Sequence, residues 1–345
     1  MKTKTIFFAV ACALVVPSCG QKKVLAEGAA DAQPAGQVED AGTFTVSEIS
    51  DGWKGKEIPV ENGGKQPSIA KLLDAFNKVW PTGTYANLPA VEQGQSLTVW
   101  QFNRDSGGYS EIDLLEDYAN VWPGDSYEDL LNSALWRRTN GHTLLGVYFR
   151  EPEDQDTPQQ VLCFYDYDPA TQTLKPETDN FVYKFRPAGA PTPQYILPEI
   201  GTALVVRETD ADYTSIYHVL EWDGMKFSLA NSYASEELYE AVTGTWMSED
   251  EAMPFTFKAV LVGDAPEGIY DCGIYGSTEY EVEFISAQGM LAFRQVPDDP
   301  DSLERPAMIC AFYPTRDGKL RGGYYISQPG GREWRGIMTL TRQAE

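Results

Sequence analysis

The side chains of this chain that could do chemistry are few and scattered. It has two histidines, His142 and His218. His142 follows the Asn140-Gly141 pair, a turn signal, and His218 stands inside the alternating run Ile216–Trp222. Imidazole is the usual general base near neutral pH, but in a turn or a strand it reads first as a surface or packing residue. Asp166, Asp168 and Glu177 fall at positions 1, 3 and 12 of an EF-hand-type calcium loop, where oxygen ligands alternate around a glycine at position 6. Position 6 is Thr171 and position 5 is Ala170, so the chelate is incomplete. Asp298, Asp299, Asp301 and Glu304 crowd a second acidic stretch, interrupted by Pro300, that reads as a solvated loop. No spacing among the 51 acidic residues nominates a carboxylate pair for glycoside hydrolysis. No catalytic residue, metal or cofactor is therefore expected.

The residue with the clearest chemical fate is Cys19. Lys2 and Lys4 precede an apolar stretch from Ile6 to Val16 that is too short to span a bilayer, and Val16-Pro17-Ser18-Cys19 ends it. That layout resembles a bacterial lipoprotein signal, in which the Cys at the cut takes the lipid and becomes the mature N-terminus. Residues 1–18 would then be removed, with Cys19 as the lipidation site. Gly20 in the second position favours the outer membrane, and Lys22-Lys23, in place of an acidic surface-export cluster, favours the periplasmic face. From Gly20 to Gly42 the chain is Ala-, Gly-, Gln- and acid-rich, which reads as a flexible tether with a reach of about 25 Å.

Charge narrows the partners. The formal net charge is -24. Losing Lys2 and Lys4 leaves 25 basic against 51 acidic side chains, or -26. Such a chain repels phosphate backbones, so no nucleic acid is expected, and the membrane is reached through the lipid. A protein or small-molecule ligand is left open.

The elements that position these groups follow from periodicity. Ile69, Leu72, Leu73, Phe76 and Val79 make one face of a helix over Ser68–Trp80, bounded by Pro67 and Pro81. A second helix is expected around Tyr127–Leu135, and Ile112–Val121 reads as helix or strand. From Ser133 the period is that of strands. Asn140-Gly141, Asp168-Pro169 and Asp223-Gly224 mark hairpins, the first expected as a type I′ turn. Residues 44–232 read as one α+β domain on an antiparallel sheet. Ser235–Ala241 is a short helix candidate. Gly244-Thr245-Trp246 then opens about eight short strands without helices, the pattern of an up-and-down barrel or a sandwich, and an all-β barrel is expected over 233–345.

Ala134-Leu135-Trp136, Asn140-Gly141-His142, Leu162–Thr171 with Leu174, and Leu220–Phe227 resemble uncharacterised lipoproteins of Bacteroidetes-type bacteria. The resemblance covers roughly residues 44–230 and implies export and fold, without an activity. Arg104-Asp105-Ser106-Gly107-Gly108 looks like the nucleophile segment of chymotrypsin-like proteases but lacks the Gly before Asp. It reads as a loop. Gly244-x-Trp246 and the closing run Trp334–Arg342 resemble lipocalin-like small barrels, which would place Trp246 at one end as a candidate ligand-binding residue.

Cys12 leaves with the signal and Cys19 carries lipid, so Cys163, Cys272 and Cys310 remain, and a Cys272–Cys310 disulfide is a candidate. Eight Trp and nineteen Tyr leave room for glycan or apolar-ligand stacking, although Trp80, Trp100, Trp136 and Trp222 stand where packing is the default. The expected function is a non-enzymatic, lipid-anchored envelope protein of binding or scaffold type. The alternatives are a periplasmic small-ligand binder using the barrel, and a glycan-binding or carbohydrate-active protein.

Overall fold

The computed structural model describes residues 24–25, 44–82, 85–91, 96–102, 109–123, 131–150, 159–185, 193–209, 215–234, 237–238, 241, 244–249, 254–262, 265–272, 276–285, 290–295, 307–328 and 331–343. Cys19, Ser106 and the Asp298–Glu304 stretch lie outside them. The chain is mostly antiparallel sheet with few helices.

The predicted helix forms as α2 (Ile69–Val79), capped by Ser68, whose hydroxyl accepts the Lys71 N–H at 3.4 Å. A helix not foreseen, α1 (Val46–Gly52), starts at a capping box. Thr45 Oγ1 accepts from the Glu48 N–H, and the Glu48 carboxylate accepts from the Thr45 N–H at 2.9 Å. Both helices lay their apolar stripes on a nine-stranded sheet. Its strands are β1 (Val24–Leu25), β2 (Ile58–Pro59), β3 (Leu97–Phe102), β4 (Tyr109–Leu114), β5 (Tyr118–Pro123), β6 (Leu131–Arg137), β7 (Thr143–Arg150), β8 (Gln160–Asp168) and β9 (Thr173–Pro176). They lie in the order β1-β3-β4-β5-β6-β7-β8-β9-β2, antiparallel except where β1 meets β3.

One expectation is corrected here and one open reading is settled. Leu131–Arg137 is strand, not helix, because it pairs with β5 on one side and β7 on the other; Leu131 and Leu135 share the face turned toward the helices. Ile112–Val121 is a strand hairpin rather than a helix, with Ile112 opposite Val121. The tether expectation is also corrected at Val24 and Leu25, which pair in parallel with Val99 and Trp100.

The second sheet contains β10 (Gln194–Ile196), β11 (Leu204–Thr209), β12 (Ser215–Trp222) and β13 (Phe227–Ala234), paired in that order. It covers the other face of the first sheet. Trp136, Leu144, Leu162 and Phe164 meet Leu204, Val206, Leu220 and Phe227 there, while Leu145, Val147, Cys163 and Tyr165 face the helices. Burial on both faces is why Thr143–Phe149 is a nearly unbroken apolar run rather than an alternating one.

The remaining strands are β14 (Gly244–Ser248), β15 (Pro254–Val262), β16 (Ala265–Cys272), β17 (Gly276–Ile285), β18 (Met290–Gln295), β19 (Ala307–Pro314), β20 (Leu320–Gln328) and β21 (Gly331–Arg342). Each pairs with the next. β14 also pairs with β21, at Trp246↔Arg342, Met247↔Thr341 and Ser248↔Leu340, so the ladder returns on itself. The second sheet turns Val205, Tyr217, Val219 and Tyr233 into one apolar cluster with Ala311, Tyr313 and other residues of this ladder. Packing therefore runs continuously across the expected boundary at 232/233, giving four layers: helices, first sheet, second sheet and closed ladder.

The topology argues against the Cys272–Cys310 disulfide. Cys272 ends β16 and Cys310 sits in β19, with β17 and β18 between them. Three ladder spacings are about 14 Å, whereas a disulfide needs Cα atoms roughly 4.4–6.8 Å apart.

The turns follow their residues. At Asn140-Gly141 the Gly141 N–H reaches the Arg138 carbonyl at 3.0 Å and Gly141 sits at φ 87, while Asn140 keeps an ordinary negative φ. The loop is thus a turn followed by a left-handed glycine, not the type I′ turn, which needs positive φ at both residues. Asp317-Gly318 repeats the arrangement, with the Gly318 N–H on the Thr315 carbonyl and φ 77.

Candidate functional site

Folding gathers the scattered chemistry into three constellations. The first joins the sequence-predicted His142, Asp166, Asp168 and Glu177. Strand pairing sets Leu144 opposite Asp166, which brings the β6–β7 turn over the end of β8. Asp166 bridges two partners, Oδ1 accepting from Arg138 Nη1 at 2.6 Å and Oδ2 facing His142 Nδ1 at 2.6 Å. Glu177 accepts from the other guanidinium nitrogen of Arg138 and from Asn180 Nδ2 at 2.8 Å. Asp168 accepts the Ala170 N–H at 2.8 Å and the Thr171 hydroxyl at 3.0 Å. The backbone N–H of Ala170 is the chief reason its carboxyl lies below the usual aspartate range.

Every carboxylate of the calcium-like spacing is therefore bound to a cation or donor of the chain itself. Among the described residues no group of three or more His, Cys, Asp and Glu side chains is placed to hold a metal. Arg138 does more than pair charges. Its guanidinium lies 5.8 Å from the Trp222 ring centroid, and the neighbouring Thr139 N–H donates to the Gly224 carbonyl at 2.9 Å. The cluster thus clamps the β6–β7 hairpin onto the β12–β13 hairpin, tying the first sheet to the second. Among the described residues, Arg138 Nε is buried without a hydrogen-bond partner.

The second constellation was not foreseen. His218 and Ser232 are cross-strand partners on β12 and β13. Ser232 Oγ lies 2.8 Å from His218 Nδ1, and Glu208 Oε2 lies 3.5 Å from His218 Nε2. Nucleophile, base and carboxylate in line are the components of serine hydrolysis. That chemistry also needs N–H donors aimed at the developing oxyanion. The Ser232 N–H already donates to Asn231 Oδ1 at 2.9 Å, and the Asn231 amide is fixed by donating to the Pro314 carbonyl at 2.9 Å. The imidazole ring itself packs against Phe185, centroids 5.1 Å apart. Its placement suits a packed sheet margin.

The third lies in the seam between second sheet and closed ladder. Tyr313 Oη donates to Glu221 Oε1 at 2.8 Å, and Arg321 Nη1 faces Glu221 Oε2 at 3.3 Å. Burial, with the Glu221 charge beside it, pushes the Tyr313 hydroxyl well above the ordinary tyrosine range, so it stays a donor. Gly201, at φ 76, lies so close to Gly323 that a Cβ on Gly323 would stand 2.4 Å from the Gly201 nitrogen. The cleft between Thr202, Trp222, Tyr313 and Ile337 keeps about 10 Å³ of free space, room for about one water.

Trp246, the candidate ligand-binding residue, is 1% exposed. Arg342 lies over its ring at 4.8 Å and donates to the Ala241 carbonyl at 2.6 Å. The strand register puts Trp246 and Arg342 in line with Leu340, Leu320, Phe312, Cys310 and Met338, which are all buried. Large side chains fill this part of the ladder, and Trp246 is packed among them. Trp80 and Trp136 are likewise core, their ring N–H groups donating to Tyr165 Oη and to the Thr202 carbonyl. No family model, curated protein or solved structure matches the chain.

Proposed function

We propose that this chain is a lipid-anchored cell-envelope protein, attached through Cys19 to the outer membrane on its periplasmic face, whose folded body is a non-enzymatic binding or scaffold module. The Lys2–Cys19 layout supports the anchor. The observation that carries the module reading is the way the polar constellations are spent. Arg138, held by Asp166 and Glu177 within the first sheet, reaches the second through the Trp222 ring and the neighbouring Thr139–Gly224 hydrogen bond, and Glu221 with Tyr313 and Arg321 ties the second to the closed ladder. Polar contacts that join the layers add to the continuous apolar packing and make one stiff platform. The closed ladder is read as a lipocalin-like barrel, with Gly244-x-Trp246 at its plugged end, and as a structural part because the side chains described on β14 and β19–β21 are packed against one another.

Replacement of Cys19 by Ser tests the anchor by fractionation. The wild-type chain should pellet with membranes and partition into detergent, and C19S should be released as a soluble or unprocessed precursor. A C19S chain with the mature mass and the detergent partitioning of the wild type would refute the reading.

A further inference from the structure

The edges of the two open sheets are managed in different ways. β2, at one end of the nine-stranded sheet, carries Pro59, which has no N–H to offer a further strand. β10 is three residues long. On edge strand β13 the N–H groups of Ser232 and Ala234 are taken by Asn231 Oδ1 at 2.9 Å and Glu237 Oε2 at 3.0 Å. These are the usual devices against adding another strand. The remaining edge, β3, is instead met by the chain's own β1, with Val24 beside Val99 and Leu25 beside Trp100.

We infer that the β3 edge is the docking site for the segment just behind the lipid-bearing cysteine, and that this docking holds the folded body against the membrane surface. The inference rests on Cys19 being the anchor. Five residue steps separate Cys19 from Val24, a span of at most about 18 Å fully extended. An undocked stretch from Gly20 to Gly42 could extend to about 80 Å. Docking therefore turns a loose leash into a short stalk and fixes which edge of the first sheet faces the bilayer. The occupant is the chain itself, paired at Val99 and Trp100.

The test is a pair of cysteines in the full-length chain kept in its native membranes. Val24→Cys with Val99→Cys stands in register, and Val38→Cys with Val99→Cys draws on the same segment out of register. Under mild oxidation the first pair should form an intramolecular disulfide on the order of tenfold faster than the second, because a free tether gives both similar effective concentrations. Equal rates would overturn docking. Should V99C fold poorly, Leu25→Cys with Trp100→Cys reads the same register. Mass spectrometry of the N-terminal peptide reports the lipid separately. A rapid crosslink on a chain without lipid would overturn the membrane placement, and lipid without the register-specific crosslink would overturn the docking alone.

Discussion

Replacing Gly323 by Ala should weaken the whole body, because it strikes where second sheet and closed ladder come into backbone contact. A Cβ on Gly323 would stand 2.4 Å from the Gly201 nitrogen, 2.5 Å from its Cα and 2.8 Å from the Ile200 carbonyl carbon. None of these is the end of a flexible side chain, so the two layers must separate. Overpacking of this kind costs about 1–3 kcal/mol, and rigid backbone places the loss near the upper figure. At roughly 2–4 °C per kcal/mol for a body of this size, the melting temperature should fall by about 6–12 °C. Calorimetry on the soluble form lacking residues 1–19 measures it. Gly55→Ala serves as the control, because nothing lies within 4 Å of its added methyl, and its shift should be near zero. A G323A melt within about 1 °C of wild type, at a precision that resolves a few tenths of a kcal/mol, would refute the packed seam.

Three further outcomes follow from the same packing. Arg138 is 12% exposed and faces two carboxylates, so Arg138→Ala should cost roughly 3 kcal/mol in urea unfolding by leaving Asp166 and Glu177 unpaired; a loss under about 0.5 kcal/mol would class the network with ordinary surface pairs. Burial raises the Asp74 carboxyl above its ordinary 3.8, so the folded state favours the protonated form. Its ionisation penalises folding at neutral pH, and the penalty vanishes as pH falls through the raised value. Asp74→Asn, still able to accept the Leu88 N–H, should therefore be at least as stable as wild type at pH 7, with the difference closing toward pH 4; a uniform destabilisation across that range would contradict it. Ser232 should resist fluorophosphonate labelling, because the Ser232 N–H is committed to Asn231; stoichiometric labelling abolished by Ser232→Ala would reopen the hydrolase reading.

Much of the architecture was legible because it rests on local rules. The Ile69–Phe76 stripe specified α2, and the turn residues at Asn140-Gly141, Asp168-Pro169 and Asp223-Gly224 fell between paired strands as expected. The misreadings have physical causes. Leu131 and Leu135 sit four apart, a helical interval, yet pairing on both sides overrides local propensity in β6. Thr45-x-x-Glu48 is a capping-box pattern, but the helix behind it is only seven residues long, too short for its apolar period to stand out. The constellations were less accessible. His142 meets Asp166, and His218 meets Ser232, through strand register, while Glu221 meets Tyr313 only because a sheet lands on a strand 92 positions away. Residue type and spacing carry no trace of such contacts.

The anchor is the claim on which location, orientation and the short-stalk inference all depend, and the mature N-terminus tests it most directly. Tryptic digestion of the membrane-extracted protein, followed by mass spectrometry, should yield a peptide beginning at Cys19 with the mass of an attached diacylglyceryl group. An unmodified Cys19, or a mature chain that begins elsewhere, would contradict the account.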